Sequence, residues 1–169
     1  AIAFPAGLSH HIANREKTDV DTLQEKFGTQ FLPVVLDITD PCQVKEWVKV
    51  TFSGTDGPDI LINNAGVIND PKSFHETTHD EWMSLINVHI IGTLQMTKAV
   101  LPLMVENKDG CIINISSTLG TKAIPGVPLS IYGLTKGGII SFTKHIAVEY
   151  GPYGIRCNCI VPSTIRTPF

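Results

Sequence analysis

No run of five or six lysines and arginines occurs in the 169 residues, and 13 basic against 16 acidic side chains leave a net charge of −3 with histidine neutral. A chain without a basic patch lacks the electrostatic footprint for nucleic acid or an anionic membrane, so a small molecule is the expected partner. Long hydrophobic runs are also missing. Asn, Ser, Lys or Pro interrupts each apolar stretch before it reaches the roughly eighteen residues of a membrane span, and no charged segment leads into an apolar one at the N-terminus. Cysteine is scarce: Cys42, Cys111, Cys157 and Cys159 are too few to staple a chain of this length and read as reduced thiols. A soluble, cytoplasmic protein is expected. Internal repeats and low-complexity tracts are absent, and a composition of 43% hydrophobic and 17% charged residues is that of one globular domain over residues 1–169, which excludes a disordered tail or a fibre.

Two periodicities alternate along the chain. Short β-branched runs at Leu8–Ala13, Phe31–Asp37, Asp59–Asn63, Cys111–Ser116 and Ile155–Val161 predict strands. Segments with helical spacing lie between them and carry start signals: Asp40 with Pro41, and Thr78 with Glu81 as a capping box ahead of Trp82, Leu85, Ile86 and His89. Apolar strands alternating with amphipathic helices predict a parallel sheet covered on both faces, a doubly wound α/β fold in three layers, α/β/α.

In such sheets ligands bind beyond the carboxyl ends of the strands. Polar residues gather there: Asp37 closes one run, Asn63-Asn64-Ala65-Gly66 the next, Ser116-Ser117 another, and Pro162-Ser163-Thr164 follow the last. Each alone reads as turn chemistry; together they outline a crevice. The strongest constellation is Tyr132-Gly-Leu-Thr-Lys136 at the start of a long apolar-periodic segment. Residues four apart share a helix face, and a cation beside a phenol favours the phenolate, which suits a general acid/base for an alcohol and its ketone. The plain alternative is an ordinary helix with a half-buried tyrosine and a solvated lysine.

Asn63-Asn64-Ala65-Gly66, Ser116-Ser117-x-x-Gly120, Tyr132-x-x-x-Lys136, then Ile155-Arg156-x-Asn158-x-x-x-Pro162 and Thr167 occur in that order. The combination resembles the short-chain dehydrogenase/reductase family from about Asn14 to the last residue. The resemblance implies a Rossmann-like NAD(P)-binding domain and an oxidoreductase interconverting a secondary alcohol and its ketone. It implies Tyr132 as proton donor and acceptor, Lys136 at the nicotinamide ribose, Ser117 on the substrate oxygen, Asp37 and Ile38 beside the adenine, Asn64 with Ala65 and Gly66 along the cofactor, and Ile165 and Thr167 at the carboxamide. Asn14 and Arg15 follow the second strand. With an amide in the acidic place and a guanidinium next to it, NADP is favoured over NAD. The helices around Glu81–Val105 and Ser130–Tyr150 imply a homo-oligomer, a dimer or tetramer.

Four departures stand against the family pattern. No Gly-x-x-x-Gly-x-Gly turn occurs, so the usual pyrophosphate anchor is missing; the chain reads as truncated at both ends, with Ala1–Gly7 a remnant of the preceding helix. His89 stands where the family has an active-site asparagine, and reads either as a structural substitute or as a member of a proton relay. Pro162-Ser163 replaces Pro-Gly, and the stretch between Gly120 and Tyr132 is slightly long. A non-catalytic binding or regulatory protein of the same fold is the competing class. His75-Glu76-Thr77-Thr78-His79 matches the zinc-hydrolase motif, a remote alternative, but a helix beginning after Thr78 leaves His75 outside, so no metal is expected. Cys157-x-Cys159 on a strand reads as core.

Overall fold

The computed structural model describes residues 2–5, 10–14, 25 and 31–165. Six strands form one sheet: β1 (Ile2–Pro5), β2 (His10–Asn14), β3 (Phe31–Val35), β4 (Pro58–Asn63), β5 (Gly110–Ile115) and β6 (Ile155–Ile160), in the order β3-β2-β1-β4-β5-β6. That order places a topological switch at the middle of the sheet, where crevices open beyond the strand ends. Strands β2 and β3 pair in parallel, as do β4, β5 and β6, with Asn63 opposite Asn114 and Ile112 opposite Cys157.

One strand departs from the expected direction. Ile2–Pro5 runs antiparallel to both β2 and β4, with Ile2 opposite Ile12 on one side and Ile62 on the other. The reading of Ala1–Gly7 as a helix remnant is corrected at Ile2–Pro5, which is strand. Four residues are too few to nucleate a helix, whereas in the sheet their backbone satisfies the groups that the facing edges of β2 and β4 would otherwise leave open.

The helices follow their local signals. Helix α1 (Pro41–Thr51) is capped by Asp40, whose Oδ1 accepts from the amides of Cys42 and Gln43 at 2.8 and 3.2 Å. Its inner side chains Val44 and Trp47 are buried, and Trp47 meets Phe52 edge-on at 5.7 Å. Helix α2 (His79–Ile86) opens with the reciprocal bonds of a capping box: the Glu81 amide donates to Thr78 Oγ1 at 3.3 Å, and the Thr78 amide donates to Glu81 Oε2 at 2.8 Å. His75 lies before it in a separate 3-10 turn, Phe74–Glu76, so one helix does not carry both histidines of the zinc-hydrolase motif.

Helix α2 runs through a π-helical stretch, Asn87–Gly92, into α3 (Thr93–Asn107), which packs over β4 and β5. By length and composition the continuous span His79–Asn107 would suffice to cross a bilayer, which differs from the expectation that apolar stretches end too soon. Its inner residues Leu85, Met96, Val100 and Met104 are at most 1% exposed, and Met96, Val100 and Met104 form core with Leu61 and Ile112. A core helix accounts for that composition. Helix α4 (Ser130–Tyr150) lies over β5 and β6.

The two strand cysteines differ. Cys157 is buried, accepts from Asn114 Nδ2 at 3.6 Å, and has its thiol pushed up to about 12 by burial; Cys159 is half-buried.

Candidate active site

The first two turns of α4 place Tyr132 and Lys136 on one face, with the Lys136 ammonium 5.7 Å from the centre of the Tyr132 ring. Lys136 is 4% exposed and donates from Nζ to the Ile115 carbonyl at 3.0 Å. The end of β5 thus holds the lysine head. Ser116 holds the helix backbone in turn, donating from Oγ to the Lys136 carbonyl at 2.7 Å. Ser117 begins the 3-10 turn Thr118–Gly120, its Oγ accepting from the Leu119 amide at 3.2 Å. That bond leaves the hydroxyl proton available for donation. The spacing from Ser117 to Gly120 is a packing requirement: a Cβ on Gly120 would lie 2.6 Å from the Lys136 carbonyl carbon and 2.7 Å from the Gly137 nitrogen. Only a glycine lets this turn seat on α4.

His89 comes from the π-helical stretch and is fully buried. Its Nε2 accepts from the Val67 amide at 3.0 Å, and its Nδ1 lies 2.8 Å from Thr135 Oγ1. The Thr135 hydroxyl donates to the Tyr132 carbonyl at 2.9 Å, and the His89 and Tyr132 rings meet edge-on at 5.4 Å. Both ring nitrogens are therefore occupied, and a relay through the imidazole would first have to break one of these bonds. A Cβ on Gly66 would lie 3.3 Å from His89 Nε2 and 3.6 Å from Lys136 Nζ, so the backbone after β4 presses close to both.

These elements enclose a cavity of about 490 Å³ whose lining includes Asn64, Gly66, His89, Ser117, Tyr132 and Lys136. Among the described residues of that lining, the lysine is the one charged side chain. Burial lowers its pKa, and burial followed by the Lys136 charge takes His89 from 6.5 down to about 4. The sign of the stability effect follows. The unfolded imidazole takes up its proton near pH 6.5 and the folded one near 4, so the neutral histidine's contribution is complete above 6.5 and is lost as the pH falls toward 4. A loss on the order of 3 kcal/mol is expected over that window. Urea unfolding of wild type and His89→Asn at pH 7 and 4.5 checks this: the wild type should lose more stability than the variant.

The other expected residues lie at different distances from this centre. Ala65 packs on the core, and Pro162 and Ser163 line the cavity. Asp37 follows β3, its Oδ1 accepting from the Thr39 amide at 2.9 Å and hydroxyl at 2.8 Å. Ile38 is buried against Gly92, where a Cβ would meet its side chain at 2.5 Å, so only its backbone can serve a ligand. Ile165 is 67% exposed and outside the cavity lining. Asn14 ends β2 opposite Val35; its side chain, like Arg15 and Thr167, lies outside the described residues. Sequence reasoning missed the roles of Ser116, Thr135 and the Val67 amide. Thr135 carried a signal, a buried-face position between Tyr132 and Lys136, but its partner could not be named.

The family model described as enoyl-(acyl carrier protein) reductase matches residues 8–169. Oxidoreductase UcpA of Escherichia coli K12 is 39% identical over an alignment of 169 residues that covers 95% of this chain and 63% of UcpA. A short-chain dehydrogenase from Streptomyces avermitilis superposes with a TM-score of 0.88 at 29% identity, over 96% of this chain and 59% of that one. ElxO with NADP bound superposes at 0.86 and 31% identity, over 94% of this chain and 64% of ElxO. The chain spans less than two thirds of the length of each. The structural likenesses carry the doubly wound, three-layer α/β/α arrangement.

Proposed function

The chain belongs to the short-chain dehydrogenase/reductase family, and from that premise we propose that it is the NAD(P)-binding domain of a soluble, cytoplasmic oxidoreductase interconverting a secondary alcohol and its ketone. The observation that carries this reading is the meeting of Tyr132, Lys136 and Ser117 with Asn64 and Gly66 around one cavity at the strand ends. The donors fit a nicotinamide and its ribose. An ammonium, an amide and hydroxyls line the wall, and Gly66 leaves the approach free of a side chain. The glycine-rich turn that would hold a pyrophosphate is absent from these 169 residues. When bound, the dinucleotide supplies the hydride.

The chain's own residues do the rest. Ser117 donates its hydroxyl proton to the substrate oxygen and orients it; Tyr132 gives that oxygen a proton in reduction and takes it back in oxidation; Lys136, fixed by the Ile115 carbonyl, holds the ribose with its remaining protons. Asn64, Ala65 and Gly66 support the cofactor, Asp37 and the Ile38 backbone its adenine end, and Ile165 with Thr167 its carboxamide. Asn14 and Arg15 favour NADP over NAD, a choice supported by the NADP bound to ElxO. His89 acts through position, a role developed below. The groove of about 610 Å³ lined from both α3 and α4, with Leu101, Pro102, Val105, Phe142 and Ile146 in its wall, supports a homo-oligomer; light scattering at micromolar concentration should find a dimer or tetramer.

Assaying the full-length protein with NADPH and NADH against a panel of ketones tests the reading. Turnover preferring NADPH is expected. Cofactor binding without turnover of any ketone would favour the non-catalytic class instead.

A further inference from the structure

Three elements distant in sequence meet at His89. The segment after β4 offers the Val67 amide, α4 offers the Thr135 hydroxyl, and the π-helical stretch carries the ring between them. We propose that His89 and Thr135 are positioning residues, a strut in which the threonine hydroxyl keeps the imidazole in its Nδ1–H form so that Nε2 holds the cofactor-side segment Gly66–Val67 against the catalytic turn of α4. For the catalytic role of that turn the inference rests on the function proposed above; the strut itself does not.

Hydrogen-bond inventory dictates the tautomer. A backbone amide can only donate, so Nε2 must carry a lone pair and Nδ1 must carry the proton of a neutral ring. The Thr135 hydroxyl has one proton, which goes to the Tyr132 carbonyl, so its oxygen is left to accept from Nδ1. The donors run in one direction, from His89 to Thr135 to the Tyr132 backbone. Thr135 is 1% exposed and His89 fully buried, so water does not compete for these bonds. The ring also faces the reaction cavity, edge-on to Tyr132 and beside the Gly66 backbone. Lys136 is the charged group facing it, and the neutral form it favours is the one the strut needs. A histidine that merely filled space would not be held in the Nδ1–H form against the side chain's intrinsic preference for Nε2–H, and a relay histidine would need one nitrogen open to water.

The test is a tautomer assignment with a binding measurement on the full-length protein. In nitrogen-15 NMR of histidine-labelled wild type, His89 should show a protonated Nδ1 and an unprotonated Nε2, unchanged between about pH 5.5 and 8.5. Thr135→Val removes the acceptor, and the ring should shift toward the Nε2–H form, which opposes the Val67 amide. NADPH should then bind about tenfold more weakly, the effect of losing one buried hydrogen bond, with a lower kcat on any ketone the enzyme accepts. Thr135→Ser keeps the hydroxyl and should stay within about twofold of wild type. A wild-type Nε2–H signal, a His89 titration near neutrality, or a Thr135→Val protein with wild-type NADPH affinity overturns the strut. The wild-type spectrum alone decides the tautomer, so a variant that fails to fold does not spare the proposal. A protein that turns over no ketone yet keeps the Nδ1–H signal and the valine effect on NADPH retains the strut and loses only the proposed reaction.

Discussion

Replacing Tyr132 by phenylalanine in the full-length protein is expected to lower kcat for ketone reduction by about 10²- to 10⁴-fold, the range over which a positioned general acid acts. The substitution removes one hydroxyl and leaves the ring, so the edge-on contact with His89 at 5.4 Å and the Lys136 ammonium 5.7 Å from the ring centre persist. NADPH affinity should therefore change little. Lys136→Met is the informative contrast. It removes the bond to the Ile115 carbonyl and the cavity's lining charge together, so both kcat and NADPH affinity should fall. Steady-state kinetics with fluorescence titration of NADPH separates the two patterns. A phenylalanine variant retaining more than about a tenth of wild-type kcat would remove Tyr132 from the proton-transfer step, since that loss is smaller than general acid catalysis supplies.

What could be read from the sequence was what local spacing determines. The caps at Asp40 and Thr78 depend on residues two or three positions away, and both formed the expected bonds. Tyr132 and Lys136 share a face because four residues make about one turn. The glycine three residues after Ser117 was legible as a motif, but its cause was not, because the obstructing backbone belongs to Lys136 and Gly137 on another element. The direction of β1 was hidden for the same reason: four residues carry no signal for which edges they will pair with, and the neighbouring edges settled it. The π-helical register of Asn87–Gly92 was beyond reach as well. Its histidine answers to Val67 and Thr135, 22 and 46 residues away, and periodicity cannot report partners at that separation. The same limit explains why His89 read as spacer or as relay until its two nitrogens were seen to be engaged.

The largest expected loss of stability lies behind the cavity, at Asn114. Asn63 Nδ2 donates to Thr97 Oγ1 at 3.0 Å and to Asn114 Oδ1 at 2.8 Å, and Asn114 Nδ2 donates to Thr143 Oγ1 at 2.9 Å. All four residues are buried. The ladder runs from α3 through β4 and β5 to α4, one residue before Asn64 and two before Ser116, so it sets the depth at which both strand ends present their polar residues. Asn114→Ala removes the middle rung. One proton of Asn63 is left buried without an acceptor, Thr143 loses its donor, and a cavity opens; together these should cost about 3–5 kcal/mol, a shift of roughly 6–20 °C in Tm for a chain of this size. Asn114→Asp sharpens the test because it keeps the shape and the acceptor for Asn63 but exchanges the donor for a buried charge. Protonating that carboxyl restores a donor toward Thr143, so the deficit of the aspartate variant relative to wild type should shrink as the pH falls from 7 to 5 while that of the alanine variant stays constant. An aspartate variant as stable as wild type at both pH values, beside a destabilised alanine variant, would mean that shape, and not the hydrogen-bond ladder, holds α3 and α4 to the sheet.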